Sequence, residues 1–432
     1  MKNTRTISVQ EAVQAITSGS HVFIHSVAAA PQALVQGMVE RADRLKNVRL
    51  YHIHTEGAAE YARPEYKDVF HDNSFFVGAN VRDAVRENRA DYIPVLLSDL
   101  GSLFRQGIVP LDVALISVSK PDKNGYMSLG VSVDVSLAAL RAAKIVIAQV
   151  NSYMPHTHGD GIVHLRDIDY LVECNEPLPV AAYPAPNETE LAVGAQIAAL
   201  IPDGATLQLG IGGLPNAVLQ SLGSHKNLGV HNEMFSDGLI PLLESGVVNN
   251  SQKAILAGLT VSSFLFGSKN LYDFVDHHPA IVMKEMSWVN DPYNIARNPR
   301  VVAINSAIEV DLTGQVCADS IGQRMYSGVG GQADFIFGAA HSAGGFPIIA
   351  MTSRTHKGVS KISPTLRLGA GVTVTRAHIH WVVTEFGAVN LQGKNLRERA
   401  ELLISIAHPE DREMLEKAAW ERWGTTMVAV AN

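Results

Sequence analysis

GSHVFIHSVAAAP at residues 19–31, followed by QALVQ, and GATLQLGIGGLP at residues 204–215, followed by NAVLQ, are two versions of one pattern. Each reads as a short β-prone strand, a turn of small residues and a helix that opens near a proline. The match continues in the same order. KNVRLYHIHTEG at 46–57 stands against KNLGVHNEMFSDG at 226–238, and DKNG at 122–125 against DLTG at 311–314. Three ordered blocks at a similar offset mark an internal duplication, and strands alternating with helical stretches predict an α/β fold with mainly parallel sheets. The prolines of PLPVAAYPAPN, residues 177–187, read as a linker and set two domains of related topology at residues 1–183 and 184–432. From Asn395 onward, NLRERAELLISIAHPEDREMLEKAAWERW has helical spacing, with Asn395 and Glu398 placed as a capping pair and His408-Pro409 dividing two helices.

A chain of 432 residues, 47 % of them hydrophobic, is long enough for two such domains, each with its own core. Its net charge of −7, with lysine and arginine scattered along the chain, argues against a nucleic-acid surface and leaves room for a small cationic pocket. Cys174 and Cys317 stand far apart, which suits a reducing compartment. The start MKNTRTISVQEAVQ has no apolar signal core and no later stretch has the length of a membrane span, so the expected location is the cytoplasm.

The two copies differ where chemistry would sit. Against His25-Ser26-Val27-Ala28 the second copy has Gly210-Ile211-Gly212-Gly213, a turn whose backbone amides a ligand can approach. Against His52, counted back from the shared glycine, it has Glu233. The glycine turn is a poor dinucleotide fingerprint, because Pro215 stands where GxGxxG needs glycine, and no P-loop lysine follows. A carboxylate beside a set of N–H donors suits acyl chemistry. A glutamate of ordinary pKa, about 4.3, is ionised at neutral pH and attacks a carbonyl without a base. That fits a chain with no GxSxG elbow, and it requires an activated substrate such as a thioester.

LGIGGLPNAV, HNEMFSDG, SGVGGQADF and TEFGAVNLQGKNLRERAELLISIAHPEDR, in this order, resemble the class I coenzyme A transferases of the acetyl-CoA hydrolase/transferase family. SLGVSVDVS and MPHTHGD extend the resemblance over nearly the whole chain, and the 4-hydroxybutyrate and butyrate CoA-transferases are the most similar in appearance. The resemblance implies two CoA-transferase-like (NagB/RpiA-like) domains, a homodimer, and acyl-CoA with a short-chain carboxylate such as acetate as substrates. CoA would be a substrate, with no separate cofactor. Exchange would be ping-pong: Glu233 attacks acyl-CoA, and a glutamyl-CoA thioester follows the mixed anhydride. The oxyanion donors it implies are backbone N–H groups of Ile211, Gly212 and Gly213 and of Gly387 in TEFG. An acyl-CoA hydrolase using the same glutamate, and a CoA-binding protein with an unreactive one, are the alternatives.

Further substrate contacts are expected at Gln208, Gly210 and His25, at Gly328, Gly330 and Gly331 of SGVGG, at Ala388, and at Lys394 with Arg397 for the CoA phosphates. Glu385 is either a rival nucleophile or a support for the Gly387 loop. His156, Asp160 and His164 in MPHTHGDGIVHL match neither HExxH nor a finger-type pair, and no metal is expected.

Overall fold

The computed structural model describes residues 4–181 and 183–424. The first sheet has eight strands, all paired in parallel. In spatial order they are Arg5–Thr6, Tyr170–Glu173, Ile145–Val150, Val113–Val118, His21–Ile24, Val48–His52, Phe70–Ser74 and Ala90–Tyr92. The second has six, in the order Gly229–Val230, Thr206–Leu209, Val301–Ser306, Phe346–Ala350, Trp381–Thr384 and Gly387–Asn390, with only the last antiparallel. Parallel strands are covered on both faces and read as unbroken apolar runs. Val113–Val118, VALISV, is buried at every position.

The duplication is visible as topology. In each sheet the strand of the glycine-led block, His21–Ile24 or Thr206–Leu209, has its immediate successor on one side, and the chain later crosses to the other. That reversal makes each of these strands a switch point, and ligands bind beyond the carboxyl ends of strands at such a point. The third matched block repeats to the atom. Asp122 Oδ1 accepts from the amides of Asn124 and Tyr126, and Asp311 Oδ1 from those of Thr313 and Gln315. Both turns close on a glycine of positive φ, Gly125 at 85° and Gly314 at 90°.

Side chains on alternate positions of the first sheet enter different cores. Val22, Ile24, Val113 and Leu115 pack in an outer cluster, while Phe23, Ala114 and Ile116 join a larger one that runs on to Leu207, Leu209, Val302 and Ile304 of the second sheet. Backbone pairing also joins the halves, since His158–Gly159 extends the small sheet of Thr260–Ser262 and Ile281–Met283 and Ser132 bridges Phe264. The C-terminal helices are Leu396–Ser405, capped by the reciprocal Asn395–Glu398 pair, and Pro409–Trp423, which begins after His408.

Candidate functional site

The carboxyl ends of both sheets face one another across a cavity of about 210 Å³. The second half supplies Gln208 and Leu209 at the end of one strand with Gly210 and Ile211 just after it, Asn232 and Glu233 after the next strand, and Gly331 and Gln332 farther along the chain. The first half supplies Ile53 and His54 after Val48–His52, Phe76 after Phe70–Ser74, and Leu97. Met234, Phe264 and Phe266 complete a largely apolar wall.

Local sequence explains the glycine turn. Gly212 sits at φ 111°, a conformation that a side chain would strain, and caps the helix Gly213–Gln220. The first amides of a helix have no partner within it. They therefore lie at the end of the strand whose last residues line the cavity.

Glu233 is held at both ends. Its carbonyl accepts from the amides of Ser263 at 2.9 Å and Phe264 at 3.1 Å, and its Oε2 accepts from Asn290 Nδ2 at 2.7 Å. A Cβ on Gly331 would overlap Glu233 Oε2 and Asn290 Nδ2, so glycine there is what lets the carboxyl group lie against the backbone. Gly331 is also the N-cap of the helix Gln332–His341. Burial pushes the Glu233 carboxyl up to about 7, against the pull of the Asn290 hydrogen bond. The sequence suggests an ordinary, fully ionised glutamate; the structure has one in balance between acid and carboxylate near neutrality.

A second carboxyl group stands behind it. Asp334, in the first turn of the helix Gln332–His341, is buried and accepts from Ser98 of the first half, through Oγ at 2.9 Å and through the amide at 3.2 Å. Burial pushes Asp334 up to about 7; the Ser98 bonds oppose this and the charge of Glu233 adds to it. Asn290 and Asp334 have no motif of their own, and only their distance from Glu233 in space marks them. The first-half wall of Ile53, His54, Phe76 and Leu97 has no motif of its own either; in the first copy the duplication points to His25 instead.

The expected residues divide. Gln208, Gly210, Ile211, Glu233 and Gly331 come together in the cavity, with Gln208 Oε1 accepting from Asn305 Nδ2 at 2.9 Å. Gly212 and Gly213 continue the same turn, Gly213 against the Glu190 carboxylate. Gly328 packs closely on Phe75, Phe76 and Tyr92 of the first half, and Gly330, at φ 59°, lies beside the Phe76 ring. His25 lies elsewhere: it is fully buried, with Nε2 at 2.6 Å from the Ser132 carbonyl and Nδ1 accepting from the Ser117 amide at 3.0 Å, a core histidine rather than a cavity residue.

Gly387 and Ala388 lie in the edge strand Gly387–Asn390, four strands along the sheet from Thr206–Leu209, and do not line the cavity. Glu385 accepts from the Ser353 amide and hydroxyl, which fixes the turn before Gly387. Lys394 follows the strand that runs back from that turn, so it lies toward the opposite end of the strands, 4.0 Å from Glu398. His156, Asp160 and His164 are dispersed: Asp160 pairs with Lys284 at 2.6 Å, His164 caps the turn Leu165–Asp167, and His156 stacks on His277. Among the described residues no helix is long and apolar enough to cross a membrane.

Known proteins match this chain over most of its length. The acetyl-CoA hydrolase/transferase N-terminal domain matches residues 3–182 and the C-terminal domain of the same name residues 267–419. A succinyl-CoA:acetate/propanoyl-CoA:succinate CoA transferase of Fasciola hepatica is 48% identical, over 94% of this chain and 86% of its own. A 4-hydroxybutyrate coenzyme A transferase of Clostridium kluyveri is 46% identical, over 95% and 96%. The crystal structure of RipA from Yersinia pestis superposes with a TM-score of 0.93 at 36% identity, covering 97% of each chain.

Proposed function

The chain belongs to the acetyl-CoA hydrolase/transferase family, and from that premise we propose that it moves coenzyme A from an acyl-CoA, such as 4-hydroxybutyryl-CoA or butyryl-CoA, to a carboxylate such as acetate. The observation that carries the reading is Glu233, fixed by Asn290 and seated against Gly331 at the floor of a small, mostly apolar cavity.

In the ionised form, a Glu233 oxygen attacks the thioester carbonyl. The C–S bond breaks, CoA leaves as thiolate and a mixed anhydride remains. The thiolate then attacks the glutamyl carbonyl and expels the acyl carboxylate, which leaves a glutamyl-CoA thioester; the acceptor carboxylate reverses both steps. Charge on the carbonyl oxygen would be met by backbone N–H groups, of Ile211, Gly212 and Gly213 at one helix start and of Gly331 and Gln332 at the other. Gly331 enters this role on its contact with Glu233, in preference to Gly387. A site closed by Phe76, Leu97, Phe264 and Phe266 would keep water from the anhydride, and transfer rather than hydrolysis depends on that exclusion.

CoA is a substrate in this scheme and no resident cofactor or metal takes part. The division at residues 183 and 184, a homodimer and a cytoplasmic location belong to the same proposal. The test mixes the protein with butyryl-CoA, with and without acetate, and follows acetyl-CoA and free CoA separately. Acetyl-CoA formed only with acetate, with little free CoA, supports transfer. Equal release of CoA in both tubes makes the protein a hydrolase, and no turnover with butyryl-CoA or 4-hydroxybutyryl-CoA overturns the reading.

A further inference from the structure

The cavity has one polar group on its first-half wall that the transfer chemistry does not use. His54 is half-buried there, packed against Phe76 at 5.7 Å and edge-on to Phe264 at 6.3 Å between ring centroids, and Phe264 gives its amide to the carbonyl of Glu233. Its Nδ1 is buried and, among the described residues, has no hydrogen-bond partner. A buried unpartnered N–H is costlier and rarer than a buried unpartnered lone pair, which places the ring proton on Nε2, the edge left open to the cavity. Burial, with the charge of His52 beside it, holds the ring down to about 4, against Asp134, so it is neutral at physiological pH.

The remaining wall decides what this N–H can meet. The first-half lining is Ile53, His54, Phe76 and Leu97, and among the described residues no lysine or arginine lines the cavity. A second carboxylate at the far end of an acyl chain would be desolvated there without a cation, which is unfavourable. A methyl end would leave the His54 donor unpaired once water is expelled. A neutral oxygen satisfies both conditions. A volume of about 210 Å³ takes roughly seven groups of water size, at about 30 Å³ each, enough for a short acyl chain with one further oxygen.

We propose that His54 is a specificity-determining residue, donating through Nε2 to a distal hydroxyl of a short-chain acyl group and so selecting hydroxyacyl-CoA over plain and dicarboxylic acyl-CoA. The inference rests on the transfer reading above and says which acyl group the same site prefers. A cavity built to hydrogen-bond a substrate hydroxyl discriminates strongly against an analogue that lacks it.

The experiment compares kcat/KM for 4-hydroxybutyryl-CoA, butyryl-CoA and succinyl-CoA, each with acetate, in the wild type, His54→Phe and His54→Gln. The wild type should use the hydroxyacyl substrate at least about tenfold better than either other one. His54→Phe should lower the hydroxybutyryl-to-butyryl ratio at least about tenfold, and His54→Gln, whose amide reaches the place of Nε2, should restore much of it. Should the Phe variant fold poorly, His54→Asn withdraws the donor from the cavity and carries the same comparison. Equal losses on all substrates, an unchanged ratio, or a wild type that prefers succinyl-CoA overturns the inference while leaving the transfer reading intact. A wild type that transfers CoA from none of the three overturns both.

Discussion

The two copies of the duplicated block put the same elements to opposite use. At the first switch point His25 fills the turn and is bonded on both ring nitrogens, and His52 is buried with Nε2 at 2.8 Å from Asp72 and 3.0 Å from the Tyr61 hydroxyl. At the second, glycines stand where His25 would be, and Glu233, the counterpart of His52, lines a cavity with its carboxyl pushed up to about 7 by burial. In one copy His25 and His52 are tied to groups of their own half, while the other leaves its backbone open and its carboxyl bonded through Oε2 to Asn290. The lesson is that a site can arise at a switch point by removing side chains, with the neighbouring copy supplying the rigid wall.

Substitutions can break this contrast from either side. Glu233→Gln should lower transfer by at least about a thousandfold, as loss of a covalent nucleophile does, with no loss of thermal stability. A melting curve beside the rate assay checks both, and appreciable exchange by the variant contradicts the assignment. Gly331→Ala forces a methyl group onto Glu233 Oε2 and should cost about a hundredfold in kcat in a folded protein, since small misplacements of a reacting group have that effect. His25→Ala should behave in the opposite manner. It leaves the Ser132 carbonyl and Ser117 amide unpaired, at roughly 1–3 kcal/mol for each buried group, so denaturant unfolding should shift while turnover per folded molecule persists.

The smallest expected effect is on pH dependence. Glu233 and Asp334 both have folded pKa values raised to about 7, above those of the unfolded chain. Between about pH 4 and 7 the folded state therefore holds protons that the unfolded state has released, and stability falls as pH rises through that window. Asp334→Asn removes one of the two groups and should make the decline shallower, read as the difference in Tm between about pH 5 and about pH 8. It also removes a negative charge facing Glu233, so the acid limb of kcat/KM should move to lower pH.

Sequence made some of this legible for physical reasons. The duplication survives because switch-point strands, glycine turns and the Asp122 and Asp311 turns impose local backbone demands that only certain residues meet. The Asn395–Glu398 cap and the His408-Pro409 break are local in the same sense, and both stand in the structure as read. What stayed hidden depends on distance in space. Asn290 follows a short helix far along the chain from Glu233, Asp334 bonds Ser98 from the other half, and His54, inside the matched block 46–57, has no spacing that marks it as a cavity residue. Lys394 shows the converse: four residues after Asn390 it reads as close to Gly387, yet the antiparallel hairpin carries it toward the far end of the strands.

The most direct test of the central claim is to trap the covalent intermediate. The protein is loaded with acyl-CoA without an acceptor, treated with borohydride, digested and sequenced by mass spectrometry. The account predicts that Glu233 is converted to its alcohol, only when acyl-CoA was present, with Glu385 unchanged. An active preparation in which Glu233 stays intact, or in which Glu385 carries the modification, would contradict it.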